Sequence, residues 1–283
     1  VFHEAISWMI QGVLWISRQS YGMLTIGHVP FLWVLLFYFM TGLWIWKKNG
    51  QNRHIRISLA YVIMIILIWI PMARRKSLAF LDVGQGDCFV ADTKSGAIIF
   101  DGGSSSEDQV GRYRILPYMK YLGYQKIQIA VISHMDIDHY SGIKELLEMG
   151  KIKYLGLPKI PKDATMKKII GIAKKRGTTI FYLSRGRQIT TKDGSLKVLH
   201  PQKNSQMEKN AASLVMQGKI LGYRVLLTGD VEKEGEEELL SEELERADIL
   251  KAAHHGSKNS TSNEFLQKVQ PKQTVISCGK QNR

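Results

Sequence analysis

The stretch Ser133-His134-Met135-Asp136-Ile137-Asp138-His139 decides how this chain folds and what it is built to hold. It follows the apolar run Ile127 to Ile132, which reads as a short buried strand, and precedes Ser141-Gly142 and a helix over 143–149. Four potential ligands (His134, Asp136, Asp138 and His139) fall within six residues at the end of that strand, so they form a compact cluster. Imidazole and carboxylate together bind divalent first-row metals. The two groups of ligands can face two neighbouring ions, and ions about 3.5–4 Å apart clamp a phosphoryl group and activate a water.

Two later stretches place further ligands after apolar strands. Leu226-Leu227-Thr228-Gly229-Asp230 offers a carboxylate that can bridge two metals, and Ala252-Ala253-His254-His255-Gly256-Ser257 offers an imidazole that can complete one coordination shell. Either His254 or His255 fills that role. Upstream, Gly84-Gln85-Gly86 makes a tight turn between two strands, flanked by Asp82 and Asp87, which are candidates for orienting the ligands. Ser257 and Ser260 are placed to contact phosphate or to cap the helix near Glu264.

Around these motifs the pattern alternates strands and helices with short links. Strands are expected at 78–83, 88–92, 97–100, 127–132, 153–157, 179–183, 223–228 and 249–252, with the runs 195–199 and 213–221 preceding the strand at 223–228, and helices at 110–122, 143–149, 165–175, 232–244 and 264–269. Such mixing argues a layered α/β domain rather than a sandwich of strands alone or a helix bundle.

Composition divides the chain into a region 1–76 and a domain 77–283. The first region has one acidic residue, Glu4, and all six tryptophans. Its uncharged runs at 29–46 and 57–73 are expected to be transmembrane helices, with Trp44, Trp46 and Trp69 towards their ends. Residues 2–18 read as an amphipathic helix lying on the membrane or against neighbouring helices. Lys47, Lys48, Arg53 and Arg56 between the runs, against Arg74, Arg75 and Lys76 after them, place the loop in the cytoplasm and the 77–283 domain outside. The net charge is +14, and residues 151–203 hold 14 Lys and Arg against Asp163 and Asp193, a local +12 that suits a polyanionic partner. Two cysteines, Cys88 and Cys278, exclude a disulfide framework and are both expected to be buried thiols.

These residues resemble the metallo-β-lactamase superfamily, whose pattern is HxHxDH followed by separate His, Asp and His ligands. More closely, the chain resembles the C-terminal part of the ComEC/Rec2 family of competence proteins, the bacterial DNA-uptake channels. The resemblance rests on Leu81-Asp82-Val83-Gly84-Gln85-Gly86-Asp87, Phe100-Asp101-Gly102-Gly103, the 133–142 motif, Leu227-Thr228-Gly229-Asp230, His254-His255-Gly256-Ser257 and Val275-Ile276-Ser277-Cys278-Gly279, and covers 77–283.

The resemblance implies an α/β fold, a metallo-β-lactamase-like αββα sandwich preceded by transmembrane α-helices. It implies that His134 and Asp136 hold a first metal, Asp138 and His139 a second, that Asp230 bridges them, and that His255 or His254 completes the second. Asp138 would orient a nucleophilic water or take its proton, and His255 would protonate the leaving group. Asp101, Gly84, Gln85, Gly86, Asp87, Asn210, Ser213 and Ser257 would support the site.

Two departures stand out. Asp136 replaces the second His of the superfamily pattern, which favours harder ions, so the two divalent metals are expected to be Mn2+ or Zn2+ with the balance moved away from zinc. Where the competence family has Asn-Asn-x-Ser-Leu-Val, this chain has Asn210-Ala211-Ala212-Ser213-Leu214-Val215, leaving one first-metal ligand unassigned. His200 is a candidate substitute, although a strand-end surface histidine is the simpler reading. The family also continues past position 283 with a Tyr-Gly-His-Pro stretch, so the domain is expected to be truncated there.

The implied function is a membrane-tethered, metal-dependent nuclease of a DNA-uptake channel that degrades the strand not imported. Its partners would be single-stranded DNA through the backbone, the membrane, and other parts of the channel and competence machinery. The alternatives are a surface hydrolase of another phosphodiester and a catalytically weak DNA-binding or gating module.

Overall fold

The computed structural model describes residues 2–18, 25, 27–46, 55, 58–63, 76–207 and 210–280. The chain forms two compact units, Val1–Arg74 with Lys120–Gln125, and Arg75–Met119 with Lys126–Arg283.

The first unit contains α1 (Phe2–Arg18) and α2 (Phe31–Trp46), and residues 58–63 are also helical. Among the described residues, no helix is long and apolar enough to cross a membrane. The 16 residues of α2 carry no charge. They extend roughly 24 Å, short of the roughly 30 Å of a bilayer's hydrocarbon core. Of the second expected span, 57 and 64–73 lie outside the described residues, as does most of the basic loop before it. Within this unit the Phe37 and Tyr61 rings meet edge to face at 5.6 Å, and the His28 amide donates to the Tyr121 carbonyl at 2.9 Å.

The second unit is built on two six-stranded sheets. The first runs in the order β1 (Leu78–Phe80), β2 (Phe89–Thr93), β3 (Gly96–Phe100), β4 (Ile127–Val131), β5 (Ile152–Pro158), β6 (Thr179–Leu183). The second runs β12 (Gln273–Val275), β11 (Ile249–Lys251), β10 (Tyr223–Leu227), β9 (Val215–Ile220), β8 (Gly194–His200), β7 (Gln188–Thr191). Pairing is antiparallel from β1 to β3 and from β7 to β10, and parallel from β3 to β6 and from β10 to β12.

The alternation of strand side chains explains the layers. Phe89, Ala91, Ile98, Phe100 and Val131 of the first sheet meet Leu196, Val198, Met216, Val225 and Leu227 of the second in one buried cluster. Val215 and Leu226 point the other way and pack with Leu239, Phe265 and Val269 of the outer helices. Those helices are α6 (Lys233–Leu240) and α7 (Asn263–Val269). Beside the first sheet lie α3 (Leu116–Tyr121), α4 (Ile137–Glu148) and α5 (Ala164–Lys175). Ile143, Leu146 and Leu147 of α4 and Met166, Ile169 and Ala173 of α5 are buried.

Several expectations need correction. The helix over 110–122 opens as a wide π turn at Gly111–Ile115 before α3. Pro117 lacks the N–H that a continuous helix would need there. The helix expected at 143 begins six residues earlier, at Ile137, so two of the motif's ligands sit in its first turn. The edge strand β7 was not expected. Cys88 is buried, but Cys278 is exposed, because β12 stops at Val275 and the thiol lies beyond the edge of the sheet.

Candidate metal centre

The site forms where β3, β4, β10 and β11 end. Asp101 follows β3 in a left-handed conformation, φ 57°, which an Asp adopts more readily than most residues. Its two oxygens do separate work: Oδ1 accepts from the Ser133 amide at 2.7 Å, and Oδ2 accepts from His139 Nδ1 at 2.9 Å. A fully buried carboxylate thus fixes both the start and the end of the motif loop.

With Nδ1 engaged, His139 presents Nε2 to Asp230, 3.1 Å from Oδ2. His255 donates Nδ1 to the Ser277 carbonyl at 2.8 Å and presents Nε2 to Asp138 Oδ2 at 3.2 Å and Asp230 Oδ2 at 3.5 Å. Asp138, His139, Asp230 and His255 each offer a ligand atom, all within 4.8 Å of one another. This is the donor set expected for the second metal, and it contains His255 rather than His254. Both ring nitrogens of His255 thus face oxygens, the Ser277 carbonyl on one side and the Asp138 carboxylate on the other.

His134 is buried, with Nδ1 3.0 Å from the Ser133 hydroxyl and Nε2 3.6 Å from Asp136 Oδ2. His254 is more exposed: its Nδ1 lies 3.0 Å from Glu232 Oε1 and its Nε2 3.9 Å from Asp230 Oδ2. His200 is no surface residue: it is fully buried and donates Nδ1 to the Ser213 carbonyl at 3.0 Å. Asn210 donates to Glu232 at 3.2 Å.

The residues suit a divalent cation on their own evidence. His134 Nε2 and Asp230 Oδ1 are buried with no hydrogen-bond partner among the described residues, and such atoms are costly unless something satisfies them. Without an ion, the cluster neutralises itself. Burial alone would raise the Asp230 carboxyl, but His139, His134 and His255 hold it well below the usual range. Burial would lower His139 and His255, yet Asp230 and Asp101 raise the first, and Asp138, Asp87 and Asp230 lift the second to about 10.

The turn at 84–87 is clamped from two sides. The Ser105 amide donates to the Gln85 carbonyl at 2.8 Å, the Gly279 amide to Gln85 Oε1 at 2.9 Å, and the Ser277 hydroxyl to the Gly86 carbonyl at 2.6 Å. A Cβ on Gly86 would lie 2.2 Å from the Gly103 carbonyl oxygen and 2.7 Å from that of Asp138. The turn therefore lies directly against the metal-motif helix, and the Asp87 amide donates to the Asp138 carbonyl at 3.1 Å. Asp82 caps the turn by accepting from Gly84 at 3.0 Å. Ser262, not Ser257 or Ser260, caps α7, accepting from the Phe265 amide. Ser257 instead accepts from the Asn259 amide at 3.3 Å, and Ser213 is buried, with its Cβ beside Gly229.

Sequence reasoning missed Lys251. It is 3 % exposed, with Nζ 2.6 Å from Asp87 Oδ2 and 2.7 Å from the Ala252 carbonyl. Burial favours a neutral Asp87, but Lys251 and His255 hold its carboxyl below the usual range. The signal was present: a lysine inside the apolar run Ile249 to Ala253 needs a buried counter-charge. Glu232 was likewise missed, being read only as part of a glutamate-rich helix.

Residues 81–280 match the family model described as the metallo-beta-lactamase superfamily. The chain is 33% identical over 257 residues to ComE operon protein 3 of Bacillus subtilis, covering 84% of this chain and 33% of that one. It is 29% identical over 208 residues to competence protein ComA of Neisseria gonorrhoeae, covering 71% of this chain and 27% of that one. It therefore spans about a third of the length of these relatives or less. Among solved structures, the metallo-beta-lactamase fold protein YhfI of Bacillus subtilis superposes with a TM-score of 0.50 at 15% identity, over 73% of this chain and 89% of that one.

Proposed function

Because the chain belongs to the metallo-beta-lactamase superfamily and corresponds to a ComEC/Rec2 competence protein's C-terminal domain, we propose that it is the metal-dependent nuclease domain of a DNA-uptake channel. In this reading it is tethered to the membrane by residues 1–76, faces the outside of the cell, and degrades the DNA strand that is not imported. The observation that carries the proposal is the convergence of Asp138, His139, Asp230 and His255 on one point, in a domain whose relatives include a competence protein.

His139, His255, Asp138 and Asp230 would hold one divalent cation, with His134 and Asp136 beside them. Bound there, such cations supply positive charge that polarises a phosphodiester and acidifies a water. The protein's own contribution is orientation. Asp101 and the Ser277 carbonyl fix the tautomers of His139 and His255 through Nδ1, so that each Nε2 carries the lone pair. Asp138 is only partly buried and offers the carboxylate best placed to accept a proton from an attacking water.

The DNA backbone would run over the basic face. Lys167, Lys168, Lys174 and Lys175 are exposed on α5, which packs beside α4, the helix that carries Asp138 and His139. The test is incubation of single-stranded DNA with the metal-stripped protein, with and without added Mn2+. Cleavage that appears only with the ion supports the nuclease reading. DNA binding without cleavage, or turnover confined to small phosphodiesters, contradicts it.

A further inference from the structure

We propose that Lys251 is a positioning residue of the metal centre: its buried ammonium holds the Asp87 carboxylate away from the His255 ring, so that His255 keeps its Nδ1 hydrogen on the Ser277 carbonyl and its Nε2 among the ligands. This role rests on the metal-dependent reading above and adds to it a residue with no ligand chemistry of its own.

Asp87 stands behind two imidazoles at once. Its Oδ1 lies 3.6 Å from His255 Nδ1 and its Oδ2 3.8 Å from His139 Nδ1. Both rings have a nearer acceptor, the Ser277 carbonyl at 2.8 Å for His255 and Asp101 Oδ2 at 2.9 Å for His139. These two bonds are not equally secure, because a charged acceptor holds an N–H roughly twice as strongly as a neutral one. Asp101 is itself a carboxylate and is tied down by the Ser133 amide, so Asp87 offers His139 nothing that Asp101 does not. At His255 a carboxylate competes with a neutral carbonyl. An unrestrained Asp87 would take that hydrogen. The ring would then turn and carry Nε2 off the point where Asp138, His139, Asp230 and His255 converge.

Lys251 supplies the restraint. Leu250 packs with the outer helices, so the alternation of β11 turns Lys251 inward, towards the first sheet. Its Nζ meets Asp87 Oδ2 at 2.6 Å and donates to the Ala252 carbonyl at 2.7 Å. Backbone bonds fix Asp87 itself: its amide donates to the Asp138 carbonyl at 3.1 Å, and its carbonyl accepts from the Gly103 amide at 3.2 Å. Only rotation of the Asp87 side chain is left, and the ammonium decides it. The ion pair apart, Asp87 Oδ1 and Oδ2 are buried with no hydrogen-bond partner among the described residues. The pair is therefore what opposes their capture of a nearby N–H.

A fold alone does not call for this arrangement. Well-packed apolar residues in place of a buried ion pair are often neutral or stabilising. A lysine on a core strand, aimed at a carboxylate beside two metal-binding rings, answers a demand of the site.

The experiment is Zn2+ titration of the full chain by calorimetry, with NMR of the Zn2+-loaded protein carrying isotope-labelled histidines. Lys251→Met should weaken Zn2+ binding by about tenfold to a hundredfold and shift the Nδ1–H resonance of His255, while that of His139 stays. Adding Asp87→Asn removes the competing carboxylate, so Zn2+ affinity and the His255 resonance should return towards wild type. Val269→Ala lies in the outer core; it should lower the melting temperature and change neither readout. If Lys251→Met does not fold, Lys251→Gln takes its place, with about a tenfold loss expected. Unchanged affinity or an unmoved His255 resonance in the folded single variant would overturn the proposal, as would an equal loss in Val269→Ala. A folded double variant that binds Zn2+ as weakly as the single one would also overturn it, since Asp87 would then be a support and not a competitor. Each of these results leaves a metal-binding protein, whereas failure of wild type to bind Zn2+ at all would sink the metal-dependent reading as well.

Discussion

At the scale of single residues, the buried pair Lys251–Asp87 is the most exacting feature of the site. Its members are 3% and 4% exposed and approach to 2.6 Å. Removing one partner of such a pair leaves an uncompensated buried charge, which costs about 3–5 kcal/mol. Lys251→Met should lower unfolding free energy by that amount in urea titration, and adding Asp87→Asn should recover a large part of it. No recovery in the double variant would show that the two groups are not energetically coupled. The pair was invisible in the sequence because Asp87 lies in the turn between β1 and β2 and Lys251 on β11 of the other sheet, whereas His134 to His139 were legible because all four ligands are local.

His200 supplies a pH dependence at the same scale. Burial holds its imidazole below the ordinary value of 6.5. The unfolded chain therefore takes up a proton at a higher pH than the folded chain does. Stability is complete above about pH 6.5 and falls as pH drops towards the folded value, by at most about 1.4 kcal/mol per pH unit. His200→Asn, which keeps a donor for the Ser213 carbonyl, should flatten the melting temperature between pH 6.5 and 5.5. An unchanged slope would show that His200 does not titrate there.

At the scale of elements, the strands were legible wherever they lie in the core, since runs such as Ile127 to Val131 are apolar and β-branched. The exception, β7, is a four-residue edge strand with one buried residue, Ile189, and nothing local distinguishes it from a loop. The start of α4 was misplaced for a different reason. Polar ligands in a first helical turn look like a loop until Asp136 is recognised as the N-cap position. The 84–87 turn was readable as a turn but not as part of the site, because its contact with the Asp138 carbonyl is tertiary. Gly86→Ala should therefore act on two levels, since its Cβ meets backbone that cannot give way. A loss of at least about 2 kcal/mol is expected on melting, together with weakened Mn2+ binding. A stable variant with intact metal affinity would show that the turn and α4 are independent.

At the scale of the whole molecule, the charge of +14 and the +12 stretch at 151–203 set the expected partner. Binding of single-stranded DNA should weaken steeply with salt, in proportion to the phosphates contacted. Reversing three exposed lysines of α5, Lys167→Glu, Lys168→Glu and Lys174→Glu, should lower DNA affinity and its salt slope while leaving turnover of a small phosphodiester unchanged. Equal salt slopes in both proteins would move the DNA path elsewhere. The central claim is a metal-dependent nuclease, and the most direct measurement is the rate of Mn2+-dependent cleavage of single-stranded DNA by wild type and by the double variant Asp138→Ala, His139→Ala. A loss of at least about a hundredfold in the variant is predicted, and equal rates in the two proteins would contradict the account.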